Sequence, residues 1–356
     1  MQFKQTHVTC YSITGIDAQI PRWLGIQEGV KKISNEIYEY QVRLVNSIER
    51  EYYHHYFERG VANGLLTGHF GKPPQDSSKT LKEFAKEKTK ERLGQEKSVG
   101  LYLTVKIVRT VDLPINSAKY VADKGDFYIG IQAFPNERES FRKNIDGLNS
   151  YFICRLFSTL TSSFEGVIFA KCLDFSYYHG TPKNLYDYFP QFGGHAIVIK
   201  KVATNELKKI VRSLRKGTVS YDEKAVKLYR KMLDETDGLK KFLFGYFSLE
   251  VATSRAFKAN KSRFDLTQKI RDNRDIKESY ADMQNEYCQN ATNSRDKFLF
   301  NSFFYWEDIG KADYERFKKA KKTRDELSHG EIPDESNIPL RELNHILAKV
   351  MQNELN

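Results

Sequence analysis

The stretch Tyr314-Glu-Arg-Phe-Lys-Lys-Ala-Lys-Lys-Thr-Arg-Asp-Glu-Leu-Ser-His-Gly330 has the pattern of a helix that ends at its glycine. Residues at steps of three and four form one helical face: Tyr314, Phe317, Ala320, Arg324 and Leu327. Most of these positions are apolar or small, but one is an arginine. Burying an arginine is costly unless it is paired or functional. Gly330 stands where helices commonly end in the left-handed conformation, and Pro333 follows.

Arg324 and His329 lie in the last turns of this predicted helix, with four residues between them. These two residue types suit metal-independent RNA cleavage, in which the 2′-hydroxyl of the substrate is the nucleophile. Histidine exchanges protons near neutral pH, and arginine grips two oxygens of a phosphorane while staying charged. We found no cluster of carboxylates and histidines with the spacing that metal catalysis needs. We therefore predict no metal and no cofactor.

The motif resembles that of the HEPN superfamily, in particular its ribonuclease branch. That branch carries an arginine, a polar residue and, after a gap of four to six residues, a histidine that is usually followed by glycine. The matching positions here are Arg324, Asp325, His329 and Gly330. The aromatic-rich stretch 239–250 is similar to the helix that precedes the motif in that family. The resemblance covers roughly residues 200–356 and leaves the first half of the chain unexplained.

The resemblance implies a helical nuclease domain that cuts RNA as a homodimer, because two motifs meet across a two-fold axis in the family. On an ideal helix a step of five residues rotates by about 140°. Arg324 and His329 of one chain therefore do not share a face. We predict that Asp325 orients His329 or its dimer mate, and that Glu250 holds Arg324. These four residues form the predicted catalytic set.

Four lysines precede the motif and are predicted to guide the RNA backbone: Lys318, Lys319, Lys321 and Lys322. The net charge of +11 agrees with a polyanionic partner such as RNA. A solvated charged helix face explains the lysines equally well. Likewise, Arg324 paired with a buried carboxylate and His329 at the favourable end of the helix dipole would need no catalytic role.

The spacing of arginine and histidine is not unique, since Arg50 and His55 repeat it. That second copy lacks the glycine directly after its histidine and continues into charged sequence. We therefore prefer the copy at Arg324 as the active motif.

Residues 1–203 are predicted to form a mixed α+β domain that recognises RNA or senses a trigger, which is a ligand or another protein. After a first strand and turn, the apolar spacing predicts a helix over 26–59, and a charged helix follows over 77–94. Alternating β-branched residues predict strands over 99–111 and 126–134. A helix over 137–160, strands over 166–173 and 196–202, and an aromatic loop over 175–190 complete the domain.

Residues 204–356 are predicted to form an all-α, HEPN-like antiparallel bundle with short connections. Successive helices are expected over 205–216, 221–233, 239–258, 264–287, 295–306, 312–328 and 340–355. Asp237 and Ser294 are the predicted N-caps of the third and fifth of these helices. The fold class is therefore α+β, with a mixed domain followed by a helical one.

No apolar run is long enough to span a bilayer, and the first residues do not form a signal peptide. The four cysteines form no CxxC pair. We expect a cytoplasmic protein without membrane contact.

Three hypotheses about function follow from the sequence. The first is a metal-independent endoribonuclease acting as a toxin or antiviral defence effector. The second is a non-catalytic HEPN module that binds nucleotide or RNA, and the third is a scaffold that binds another protein.

Overall fold

The computed structural model describes residues 1–16, 18, 20–21, 23–47, 83, 100–118, 121–123, 127–164, 166–188, 204–215, 219–261, 291–331 and 334–355. The fold is α+β, as predicted. Contacts divide the chain into two compact units. Unit 1 comprises Met1–Asn149 and Gly166–Lys216, and unit 2 comprises Ser150–Glu165 and Gly217–Asn356.

In its described residues, unit 1 contains two sheets. The larger sheet is antiparallel with the order β2-β3-β4-β1-β7, and the smaller sheet has the order β5-β6-β8 with β6 and β8 parallel. The strands are β1 (Gln2–Thr14), β2 (Trp23–Ile33), β3 (Glu36–Val45), β4 (Leu101–Asp112), β5 (Val121–Asp123), β6 (Phe127–Ile131), β7 (Ile168–Thr181) and β8 (Asn184–Tyr188). The strands predicted near 99–111 and 126–134 are confirmed as β4 and β6.

The helix predicted over 26–59 is wrong in its described part, because β2 and β3 form a hairpin there. Ser34 and Asn35 turn the chain with φ of 47° and 71°, the positive values that a tight hairpin turn requires. Alternate residues of β3 are then buried, beginning with Tyr38 and Tyr40. The apolar residues of this stretch fit the spacing of a helix as well as that of a strand. In the structure, every second residue is buried, as in a strand. Residues 48–59, including the second Arg-His copy, lie outside the described residues.

The aromatic loop predicted over 175–190 is also wrong where the chain is described. β7 continues to Thr181, and β8 follows after a short turn. Phe175 and Tyr178 are buried within this pairing, so the aromatic residues fill the core. The predictions over 77–94, 196–202 and 264–287 fall outside the described residues, apart from Glu83, which is helical.

The predicted helix over 137–160 is confirmed as α1 (Pro135–Ser163), and its residues are divided between the two units at Asn149. In unit 1, the Asn149 amide donates to the Thr9 hydroxyl of β1 at 2.7 Å. In unit 2, Tyr151 stacks on Tyr221, with ring centroids 5.1 Å apart. Polar residues of α1 such as Asn149 and Arg155 are buried along with its apolar ones, so the helix lacks the one-sided pattern of a surface helix.

The remaining described helices agree with the predictions to within a few residues at each end. They are α2 (Thr204–Leu214), α3 (Glu223–Asp234), α4 (Gly238–Asn260), α5 (Ser294–Phe304), α6 (Lys311–Ser328) and α7 (Leu340–Leu355). Helix α2 packs with β2 in unit 1, where Arg215 Nε donates to the Gly25 carbonyl at 2.9 Å. Buried aromatic rings such as Phe242, Phe298 and Phe317 supply the core of unit 2.

Two helix caps were predicted from the sequence. Asp237 is confirmed, since its carboxylate accepts from the Lys240 amide at 2.9 Å. The cap of α5 is Asn293 instead of Ser294, because the Asn293 side chain reaches the Asp296 amide, also at 2.9 Å. Asparagine and serine are both good N-cap residues. Here Asn293 has the extended backbone conformation that an N-cap adopts, and Ser294 is already helical. Within the described part of the chain, no helix is both long and apolar enough to cross a membrane.

Candidate functional site

Helix α6 presents the predicted motif at its C-terminal end. Phe317 and Ala320 are fully buried and anchor the helix in unit 2. The end is a Schellman motif, in which the Gly330 amide bonds the Leu327 carbonyl at 3.2 Å and the Glu331 amide bonds the Glu326 carbonyl at 3.0 Å. Gly330 has φ of +85°, which glycine adopts without strain. The predicted helix end is therefore confirmed.

Arg324 is held on three sides by neighbouring groups of unit 2. Its Nη1 donates to Asp325 Oδ1 at 2.9 Å, and its Nη2 lies 3.5 Å from Glu250 Oε1. The guanidinium carbon is 5.6 Å from the centre of the Tyr246 ring. The side chain keeps 33% of its surface exposed. The predicted contact between Glu250 and Arg324 is thus present, and the guanidinium is fixed without being closed off from solvent.

The electrostatics of the site favour charged forms. Burial lowers the pKa of Arg324, but the hydrogen bond to Asp325 and the charge of Glu250 outweigh it, so the net shift is upward. Burial raises the pKa of Asp325, but hydrogen bonds from Lys321 and Arg324 shift it below its ordinary value. Both groups are therefore ionised at neutral pH. Burial also raises the pKa of Tyr246, so that its phenol stays neutral.

His329 is the C-cap residue of α6, with φ of −90° and ψ of 4°. Its backbone amide bonds back to Asp325 and Glu326, and its side chain is exposed. Among the described residues, none forms a hydrogen bond or ion pair with its ring. The Asp325 carboxylate binds Arg324 and Lys321 instead. Within one chain, the structure therefore does not bring Asp325 and the His329 ring together.

The four lysines predicted to bind RNA each carry an ion pair on the surface of unit 2. The partners are Glu315 for Lys318, Glu342 for Lys319, Asp325 for Lys321 and Glu326 for Lys322. These pairs are exposed or half-exposed, and surface pairs of this kind typically contribute at most about 1 kcal/mol. A phosphate can therefore compete for these lysines, and their role in RNA binding stays a prediction.

Tyr246 belongs to the site but was not singled out from the sequence. It precedes Glu250 by four residues on α4 and therefore lies on the same helix face. This spacing is the signal that could have identified it. In the part of the chain that is described, no three His, Cys, Asp or Glu residues are grouped so that they could hold a metal ion.

Comparisons with known proteins do not identify the chain. No protein-family model, curated protein or solved structure matches it.

Proposed function

We propose that the protein is a metal-independent endoribonuclease whose active centre is built from Arg324 and His329. One observation supports this most directly. The guanidinium of Arg324 is fixed by Asp325, Glu250 and Tyr246, yet a third of its side chain faces solvent. Arginine has five N–H donors in a rigid fork, so the two carboxylates leave donors for a phosphate.

In the proposed reaction, the neutral His329 ring takes the proton from the 2′-hydroxyl of RNA. The 2′-oxygen then attacks the adjacent phosphorus, and the bond from phosphorus to the 5′-oxygen breaks. A protonated histidine returns a proton to that leaving oxygen. The products are a 2′,3′-cyclic phosphate and a 5′-hydroxyl. Arg324 stabilises the negative charge that develops on the phosphorane oxygens.

The reaction requires a proton donor and a proton acceptor, but one chain supplies a single motif histidine. A homodimer with two motifs at its axis would supply both, as the HEPN resemblance implies. Among the described residues, the Asp325 carboxylate forms no hydrogen bond or ion pair with the His329 ring, which is compatible with Asp325 acting toward the second copy. The HEPN-like arrangement of the helical unit is part of the same proposal.

The test is incubation of the purified full-length protein with total RNA in EDTA, followed by analysis of product ends. Wild-type protein is expected to leave 2′,3′-cyclic phosphate ends, whereas His329→Ala is expected to leave RNA intact. His345→Ala is the matched control, because His345 is a half-exposed histidine elsewhere in unit 2. Equal cleavage by wild type and His329→Ala would contradict the proposal, as would cleavage that requires added metal.

A second candidate function is RNA or nucleotide binding without cleavage. It is favoured by the unpartnered ring of His329 among the described residues and by the pairing of Arg324 with two carboxylates. This function predicts salt-sensitive RNA binding that survives His329→Ala, with no cleavage products. The same incubation therefore separates the two functions.

A further inference from the structure

Tyr314 of α6 is a half-buried tyrosine between two cationic side chains. Arg295 of α5 donates through Nε to the Tyr314 hydroxyl at 2.7 Å. The ammonium of Lys318 lies 5.2 Å from the centre of the Tyr314 ring. Tyr314 and Arg295 have no role in the reaction proposed above, whereas Lys318 is one of the four lysines predicted to bind RNA. We call this cluster the Tyr314 platform and define it as Tyr314, Arg295 and Lys318.

The platform is rigid on the side that faces the core. The Tyr314 ring packs nearly parallel to Phe298, with centroids 6.4 Å apart and an interplanar angle of 23°. Phe298 is fully buried and stacks in turn on Phe317 at 4.2 Å. The Tyr314 ring is held by packing on Phe298 and by the hydrogen bond from Arg295 to its hydroxyl. It therefore loses little conformational freedom when a flat ligand stacks on it.

The Lys318 ammonium lies over the Tyr314 ring, and competition for that position favours a nucleic-acid base. The contact of an exposed lysine with an aromatic ring is weak, and so is its pairing with exposed Glu315. Stacking of a base on an aromatic side chain is a stronger interaction than either of these contacts. A base can therefore displace the Lys318 ammonium from the ring, and the displaced charge stays close enough to bind the neighbouring phosphate.

The platform is also continuous with the Arg324 site. On an ideal helix, Tyr314, Lys318, Lys321 and Asp325 fall within about 60° of one another. Asp325 binds Arg324 directly. On the other side, Ser294 lies beside the Tyr246 phenol and is followed by Arg295. An RNA strand bound along this helix face therefore leads from the Tyr314 ring to the Arg324 guanidinium.

We propose that the Tyr314 platform binds single-stranded RNA, with a base stacked on Tyr314 and the adjoining phosphates held by Arg295 and Lys318. This inference rests on the proposed function, since it supplies the substrate class of the same site. It predicts a preference for unpaired RNA, because bases inside a duplex cannot reach an aromatic ring from the side.

The experiment measures binding by fluorescence anisotropy in the full-length His329→Ala protein, so that RNA is not consumed. The probe is a labelled oligouridylate about 12 nucleotides long, within the usual range of single-strand sites. Replacement of Tyr314 by leucine keeps an apolar side chain on Phe298 but removes the flat ring. We expect Tyr314→Leu to weaken binding by about 5- to 100-fold, and Tyr314→Phe to retain most of the affinity.

Two further variants make the test specific. Lys318→Gln is expected to reduce the slope of log affinity against log salt by about 0.7, the value for one phosphate contact on a single strand. Phe303→Ala removes a ring that is 77% exposed on the same helix as Arg295, and it is expected to leave binding unchanged. Equal losses in Tyr314→Leu and Phe303→Ala would overturn the platform, as would unchanged binding by Tyr314→Leu.

Failure of this inference can be distinguished from failure of the proposed function. If wild-type protein cleaves RNA in EDTA but Tyr314→Leu binds normally, the nuclease proposal survives and the platform does not. If RNA binding depends on Tyr314 but wild-type protein does not cleave, the platform survives and the nuclease proposal does not. A melting curve for each variant shows whether a loss reflects unfolding.

Discussion

Arg138 in unit 1 and Arg324 in unit 2 have the same kinds of neighbours but different surroundings. Each binds an aspartate, and each lies over a tyrosine ring, at 4.7 Å for Arg138 and Tyr178 and 5.6 Å for Arg324 and Tyr246. Arg138 is 6% exposed, whereas Arg324 is 33% exposed. The guanidinium of Arg138 is enclosed by protein, and that of Arg324 can reach a ligand.

The partners of Arg138 explain its enclosure. Its Nε donates to the Ala133 carbonyl at 2.9 Å, and its two Nη atoms donate to the Ser176 carbonyl and the Asp187 carboxylate. Asp187 in turn accepts from the Ala133 amide at 3.0 Å. These bonds tie α1 to β7 and β8 within unit 1. A buried arginine of this kind stabilises the fold, so the presence of an aspartate and a tyrosine beside an arginine does not by itself indicate function.

The largest expected effect tests the structural role of Arg138. We expect Arg138→Ala to destabilise the protein by about 3–5 kcal/mol, because Asp187, whose pKa is raised by burial, is left buried without its cation. Urea denaturation followed by circular dichroism measures the loss. Arg142→Ala is the matched control, since Arg142 is an arginine with 45% of its side chain exposed, one helical turn further along α1. It should cost at most about 1 kcal/mol. Similar costs for the two variants would contradict a structural role for Arg138.

The second effect is expected in activity and not in stability. If the nuclease proposal holds, Arg324→Ala should reduce RNA cleavage by about 100- to 1000-fold, the usual loss when one transition-state donor is removed. Its cost in unfolding free energy should stay at or below about 1 kcal/mol, since the side chain is partly solvated. Arg341→Ala, a change at an exposed arginine of α7, controls for the loss of charge. A large loss of stability in Arg324→Ala would place this arginine with Arg138 as a structural residue.

The third effect concerns a buried carboxylate of unit 2. The side chain of Asp313 is 4% exposed and binds Lys349 and Arg316, each at 2.8 Å. Burial raises the pKa of Asp313, but hydrogen bonds from Lys349 and the Gly310 amide outweigh it and shift the pKa downward. Its ionised form therefore stabilises the fold above its unfolded pKa of about 3.9. That stability is lost as the pH falls through the lower folded pKa.

We expect Asp313→Asn to cost about 1–3 kcal/mol at pH 7, because charge-assisted hydrogen bonds are lost. The cost should shrink as the pH falls through the lowered pKa, where the wild-type carboxylate is itself protonated. Urea titrations across that range measure both values. Asp308→Asn provides the control, since Asp308 is exposed and its positive φ of 58° suits asparagine. A cost for Asp313→Asn that does not depend on pH would contradict the assigned charge state.

The two units also differ in how far their folds could be predicted. The helices of unit 2 follow from local signals, such as the cap at Asp237 and the glycine end at Gly330, because a helix satisfies its backbone within one segment. The hairpin of β2 and β3 depends on pairing with β4, which lies far along the chain. Its apolar spacing fits a helix as well as a strand, and only the turn at Ser34 and Asn35 distinguishes them.

The candidate site was predictable in part for the same reason. Arg324, His329 and Gly330 belong to one helix end, so their spacing was visible in the sequence. The contact with Glu250 could be anticipated because the carboxylate lies on an apolar helix face. The role of Asp325 could not, because its choice of Lys321 and Arg324 over His329 depends on side-chain geometry that residue order does not specify.

The smallest expected effect is at the start of α5, which adjoins the Arg324 site through Ser294. The sequence placed the N-cap at Ser294, whereas the structure places it at Asn293, whose backbone is extended. Asn293→Ala should therefore cost about 0.5–2 kcal/mol, the usual loss for a cap. Ser294→Ala should cost less than about 0.5 kcal/mol, because alanine is the better helix former inside the first turn and offsets the lost contact with the Tyr246 phenol. Urea denaturation of the two variants shows which substitution lowers the unfolding free energy more. The reverse order would return the cap to Ser294 and shift the first turn of α5 by one residue, which would move Arg295 away from the Tyr314 hydroxyl.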